Sequence, residues 1–160
     1  MVPLYRDAQD GAVHAVFTRR RDDLRSHPGE ISFPGGRQEN GDANLEATAL
    51  REAQEEVGLP RASVRLVGAL PPTPTIVTNY AIYPFVGVIE AGFAWVPQAT
   101  EVAEVLELRL ADLRDGHGQR RLVRKGVPFR TDTYEVSDTL VWGATARIVA
   151  DLLQRLAPLI

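Results

Sequence analysis

The run Arg51-Glu52-Ala53-Gln54-Glu55-Glu56-Val57-Gly58-Leu59 leaves this chain few ways to fold. At 3.6 residues per turn, Leu45, Ala49, Ala53 and Val57 form an i+4 apolar stripe, and Leu50 widens it. Gly41–Asn44 offers cap residues before the stripe, and Gly58 with Pro60 offers a left-handed stop after it. One face of this helix must pack on a core. The same geometry gathers Glu52, Glu55 and Glu56 at i, i+3 and i+4 on the accessible face, where like charges repel by roughly 0.2–0.5 kcal/mol per pair. Glu55 and Glu56 also sit in the last turn, where the helix dipole disfavours anions. A hard divalent cation such as Mg²⁺ or Mn²⁺ against these oxygens would account for the cluster. The plain alternative, for these residues alone, is a solvated acidic face eased by an Arg51–Glu55 pair at i+4.

The rest of the chain alternates strands with this helix and one more. Met1–Arg6 reads as a strand from the outset, so any N-terminal helix would lie outside this sequence. Ala12–Thr18 resumes a strand after the turn Asp7–Gly11, which predicts a hairpin. Val64–Leu70, Ala81–Glu90, Val102–Leu110 and a final short strand at Phe129–Glu135 follow, with a Pro- and Thr-rich loop at Pro71–Thr78. Asp138 or Thr139 is the expected cap of a C-terminal helix running to about Leu156, with Ala144, Ile148, Leu152 and Leu156 on one face. At 160 residues, with no repeats or linkers, the expectation is one mixed α/β domain.

Composition excludes several function classes. No cysteine means no disulfide, thiolate metal site or thiol nucleophile. A net charge of −3 gives no footprint for non-specific nucleic-acid binding, although Arg120–Lys125 is a basic segment. No apolar run approaches the ~20 residues of a membrane helix and no signal peptide is visible, which favours a cytoplasmic protein. His14, His27 and His117 lack metal-ligand spacing, and His14, inside an apolar run, reads as structural.

Glu52-bearing REAQEEVGL resembles the second half of the Nudix box, G-x5-E-x7-R-E-U-x-E-E-x-G-U with U apolar, except that Ala53 takes an apolar position. The first half departs from the pattern: Gly36 to Arg51 is one residue longer, and the usual Glu is absent, with Asp42 or Glu39 the nearest acidic stand-in. Upstream, Thr18–Gly36 (TRRRDDLRSHPGEISFPGG) resembles LLTxRSxxxRxxxGxxxFPGG, a signature of the coenzyme A pyrophosphatase branch of that family. Thr18, Arg20, Arg25, Gly29, Phe33, Pro34, Gly35 and Gly36 fall in register, and Arg21 stands in place of the usual Ser. Val141–Ile148 is similar to a stretch near the end of those proteins, so the likeness spans nearly the whole chain.

The resemblance implies a Nudix-type α/β/α sandwich with a mixed sheet, and metal-dependent hydrolysis of a nucleoside diphosphate linked to another group. On the branch signature that substrate is coenzyme A or a derivative, cut to 3′,5′-ADP and a 4′-phosphopantetheine. ADP-ribose or another nucleoside diphosphate is the alternative, and a catalytically silent Nudix-fold binding module a further one. Carried over residue by residue, Glu52, Glu55, Glu56 and the Gly36 carbonyl hold Mg²⁺ or Mn²⁺, and Arg51 orients the glutamates. The general base is Glu52 or Glu101, with Glu104 and Glu107 as further options. Arg20 and Arg25 are expected to read substrate phosphates, because guanidinium matches phosphate geometry. Gly35 and Gly36 allow close backbone approach to substrate. Thr73, Thr75, Asn79 and Tyr80 are placed at the pocket by loop position, and Trp142 reads as core. The implied partner is a small molecule; dimers are common in the family, so a homodimer is a further expectation.

Overall fold

The computed structural model describes residues 1–75, 80–124 and 126–160, with no account of the Arg124 side chain. Strands β1 (Val2–Arg6) and β2 (Val13–Arg20) pair antiparallel around the Asp7–Gly11 turn, as their hairpin pattern predicts. β3 (Ile31–Ser32) pairs with Thr18 and Arg19 of β2, and β8 (Val102–Arg109) runs antiparallel along β2. β1 lies parallel to β7 (Phe85–Val88), which pairs antiparallel with β4 (Arg65–Ala69). The six strands form one mixed sheet.

Period-two alternation divides the side chains of β1 and β2 between two cores. Val2, Leu4, Ala15 and Phe17 pack with Ile148, Val149 and Leu152 of helix α3 (Gly143–Leu156). Tyr5 and Val16 pack with Ala49, Ala53 and Val57 of helix α1 (Leu45–Val57). A sheet apolar on both faces needs a helix on each, and the expected α/β/α layering results. His14 sits at the edge of the second core, its ring stacked on Tyr5 at 5.0 Å.

α1 is built by local signals. Asn44 is extended and its side-chain oxygen accepts from Ala47 N–H at 2.8 Å, which satisfies one of the free donors of the first turn. Gly58 ends the helix at φ 75°, and Leu59 N–H turns back to the Ala53 carbonyl at 3.3 Å. Leu59 is fully buried, so the stop also anchors the chain.

Elsewhere the structure corrects the sequence reading. The apolar run Ala81–Glu90 is two strands: β6 (Ala81–Ile82) pairs with β5 (Thr73–Pro74), and β7 begins after Pro84. Proline has no N–H for a ladder, so the strand changes partner there. The tail of the predicted strand at Leu110 opens a short helix, α2 (Leu110–Asp115), which buries Leu110 and Leu113. The basic segment is a strand, β9 (His117–Arg124), paired with β10 (Val127–Val136), so the short strand expected at Phe129–Glu135 is ten residues long. Lys125 lies outside the described residues. Nor is β10 the last strand. β11 (Thr139–Trp142) pairs with it, Thr139 opposite Val136, across a turn in which Ser137 takes φ 53°. Thr139 is thus committed to a ladder, and α3 starts at Gly143 with no side-chain cap. Trp142 is half-buried, its ring 5.9 Å from that of Phe129. Among the described residues no helix is long and apolar enough to cross a membrane.

Candidate active site

The acidic face of α1 meets the turn Pro34–Gly36. Glu56 is 7% exposed, and its carboxylate accepts the Gly35 N–H at 3.0 Å. Burial pushes its carboxyl up to about 7; the Gly35 hydrogen bond opposes the rise, and the charges of Glu52 and Glu101 add to it. Glu52 lies against Gly36 so closely that a Cβ there would fall 2.3 Å from its Oε1. Burial raises the Glu52 carboxyl as well, with Arg51 opposing. A side chain at 36 would therefore displace the Glu52 carboxylate from this position. The Gly36 φ is not in the left-handed region, whereas Gly35 takes φ 157°.

Arg51 is the hub of the exposed side of α1. Its Nε and Nη2 donate to the two oxygens of Asp42, both at 2.9 Å, its Nη1 to Glu55 at 2.8 Å, and Nη2 also to the Arg37 carbonyl. Glu52 Oε1 lies 3.2 Å away. Asp42 further accepts from Glu39 N–H and the Thr48 hydroxyl. The Arg51 hydrogen bonds, chiefly, hold the Asp42 carboxyl far below its ordinary range, and Asp42 in turn raises the guanidinium. The loop carboxylate Asp42, one of the two stand-ins for the missing box glutamate, thus fixes the arginine beside the acidic face of α1.

The three glutamates do not converge. Glu55 is half exposed and turned into Arg51, whereas Glu52 and Glu56 face the glycine turn. Among the described residues no three His, Asp or Glu side chains form a ready metal cluster. Two shielded carboxylates beside the glycine turn still fit Mg²⁺ or Mn²⁺: Mg²⁺ keeps several waters and is commonly held by one or two carboxylates plus substrate phosphate. Glu55 would join only by leaving Arg51.

Opposite this face lies the end of β2. Arg20 Nη1 is 3.8 Å from Glu101 Oε2, and Arg20 Nε is buried without a hydrogen-bond partner. Arg25 is exposed and makes no polar contact with the described residues. Glu101 precedes β8 in a turn whose Gln98 N–H donates to the Glu56 carbonyl at 2.9 Å, a link no sequence signal announces. The other carboxylates considered as base are engaged elsewhere: Glu104 pairs with Arg19, and Glu107 accepts from Trp95 Nε1. Thr73 is buried; Thr75 and Tyr80 bond to each other, and Arg37, next to Gly36, lies over the Tyr80 ring at 4.8 Å. That contact brings the loop to the rim of the site. Asn79 lies outside the described residues.

Fold and site define an α/β/α enzyme with an acidic helix set against a glycine turn. A family model of the NUDIX domain matches residues 1–125. A Citrobacter koseri protein described as an uncharacterized Nudix hydrolase NudL is 38% identical over 154 residues, which cover 95% of this chain and 78% of that protein. The chain belongs to the Nudix hydrolase family, enzymes that cleave phosphorus anhydrides of nucleoside diphosphates linked to another group and generally use divalent metal ions. Solved structures carry the same fold at low identity. A MutT/nudix family protein of Enterococcus faecalis superposes with a TM-score of 0.65 at 15% identity, covering 99% of this chain and 60% of its own. The NUDIX domain of Shewanella oneidensis NrtR, solved with ADP ribose, gives 0.59 at 15% identity, covering 97% and 84%.

Proposed function

We propose that this enzyme hydrolyses the diphosphate of coenzyme A or its derivatives, in the cytoplasm, to 3′,5′-ADP and 4′-phosphopantetheine or its acyl form. One observation carries the choice of substrate. Arg20 Nε is buried without a partner and the exposed Arg25 makes no polar contact with the described residues, and coenzyme A brings a 3′-phosphate beyond its diphosphate that both could receive. Arginine forks are suited to such a group.

Glu52 and Glu56, with Glu55 and the Gly36 carbonyl, would hold Mg²⁺ or Mn²⁺, and the bound ion would neutralise the diphosphate and acidify a water. Arg51, held by both oxygens of Asp42 and by the Arg37 carbonyl, orients the glutamates and leaves substrate alone. Glu52 is confined between Arg51 and Gly36, which favours a ligand role. Glu101, whose charge is felt at Glu56 and whose turn is tied to the Glu56 carbonyl through Gln98, is given the role of base. It takes one proton from the attacking water; the new P–O bond forms at one phosphorus as the bridging P–O bond breaks, and the bridging oxygen leaves on the other phosphate.

A substrate panel decides the matter. Coenzyme A is expected to exceed 3′-dephospho-coenzyme A in kcat/KM by roughly 10- to 100-fold, the worth of one or two charged hydrogen bonds. Equal rates would remove the 3′-phosphate from the reading. Preference for ADP-ribose, the ligand of the NrtR domain, would favour the alternative substrate.

A further inference from the structure

We propose that Arg21 is a positioning residue: it holds the turn that carries Glu101 and so sets where that carboxylate meets the reacting water. The proposal rests on the role given to Glu101 above.

Glu101 lies just outside the sheet. The β2–β8 ladder ends at Arg20 opposite Val102, after an irregularity between Arg19 and Arg20. The turn before it closes on itself, with Glu101 N–H and Val102 N–H both donating to the Gln98 carbonyl, at 3.0 and 2.9 Å. On one side it is tied to α1 through Gln98 N–H and the Glu56 carbonyl. On the other side Arg20 Nη1 approaches the Glu101 carboxylate at 3.8 Å, and both hydrogen bonds to the turn's backbone come from Arg21: its backbone N–H donates to the Glu101 carbonyl at 3.0 Å, and its Nη1 to the Ala99 carbonyl at 2.6 Å.

The guanidinium can hold that carbonyl because its other edge is fixed. Nε and Nη2 donate to the two oxygens of Asp23, at 2.8 and 2.7 Å, so a planar fork is clamped with its free nitrogen aimed at Ala99. Packing gives the turn little help here. An open cleft of about 590 Å³ lies beside it, lined by Arg21, Asp22, Pro97, Ala99, Val102 and Ala103. Hydrogen bonds, more than apolar contact, therefore keep Glu101 in place. A lysine could not replace the fork, since one ammonium cannot span Asp23 and Ala99 in fixed geometry.

A double-mutant cycle tests this on the intact enzyme, using whichever of coenzyme A and ADP-ribose the wild type turns over faster in Mg²⁺. Arg21→Ala is expected to lower kcat roughly 10- to 100-fold, the cost of misplacing a reacting group by about an ångström. KM and Mn²⁺ affinity, read by electron paramagnetic resonance, should stay within about twofold, and Arg21→Lys should recover little of the rate. In a Glu101→Gln background Arg21→Ala should add less than about twofold, because the group it positions is already gone. Losses that multiply, or a change confined to KM, would overturn the positioning role alone. An unchanged kcat in Glu101→Gln would instead remove Glu101 as base, and this inference with it.

Discussion

Arg51, beside Glu52, and Arg20, beside Glu101, are provided for in opposite ways. Arg51 has a partner for each side of its fork, in Asp42, Glu55 and the Arg37 carbonyl, and its side chain is 12% exposed. Arg20 keeps a buried Nε with no partner and only a 3.8 Å approach to Glu101. A buried donor left unpaired costs about 1–3 kcal/mol, a cost that a bound water or a substrate oxygen would relieve. On the reading proposed above, the Glu52 and Glu56 face is prebuilt by protein atoms, and the arginine end would be finished by substrate. Damage to the first should reduce every substrate alike; damage to the second should depend on which substrate is offered.

The largest effect is expected at the prebuilt end. Glu56→Gln should lower kcat by at least ~10²-fold on coenzyme A and ADP-ribose equally, since groups that merely support metal ligands are worth 10–100-fold. Hydrolysis in Mg²⁺ unaltered by that change would end the metal reading. Asp42→Asn comes next: it removes the charge that fixes the Arg51 fork while leaving every glutamate in place. Turnover should fall roughly 10- to 100-fold, again without regard to substrate. A loss on coenzyme A alone would place Asp42 with the substrate-reading residues. Arg25→Ala, at the unfinished end, should raise KM for coenzyme A about tenfold or less and leave ADP-ribose kinetics unchanged. Equal effects on both substrates would erase the contrast between the two arginines.

The same contrast explains what the sequence allowed to be read. α1 was readable end to end because its cap, stripe and stop are local, and Asn44, Ala53 and Gly58 act within a turn or two of their own positions. The hairpin of β1 and β2 was readable for the same reason. β9 was not, because Arg120 and Arg121 interrupt any apolar alternation and its partner, β10, decides its fate. The cap expected at Asp138 or Thr139 failed because those residues complete a hairpin that periodicity did not reveal. In the candidate site, the glutamate cluster and the Arg51–Glu55 pair follow from spacing, the orienting role of Arg51 came only from the family resemblance, and Asp42 entered, with Glu39, as a stand-in for a missing residue. The bridge from Gln98 to Glu56 had no signal at all, since it runs between backbones 42 residues apart, the difference between 98 and 56.

The smallest effect concerns stability and isolates Glu56 from catalysis. Its carboxyl is raised from 4.5 to about 7, mainly by burial, so in the metal-free fold it keeps a proton that the unfolded chain would release. Between those values the native state binds more protons than the unfolded state, and stability falls as pH rises. The contribution is complete below the unfolded value, near 4.5, and lost once pH has passed about 7; across the whole window it amounts to about 3 kcal/mol. Glu52, shifted the same way, adds to the slope. Asp42, shifted down, acts below this range, and the Met1 amino group, lowered from 8.0 to about 6 by burial, opposes the slope from about pH 6 upward. Thermal midpoints of chelator-treated protein should therefore decline between pH 5 and 6, and Glu56→Gln should flatten most of that decline. A wild-type slope that survives the substitution would mean that the Glu56 carboxyl is solvated, and that the face taken here as prebuilt is open to water.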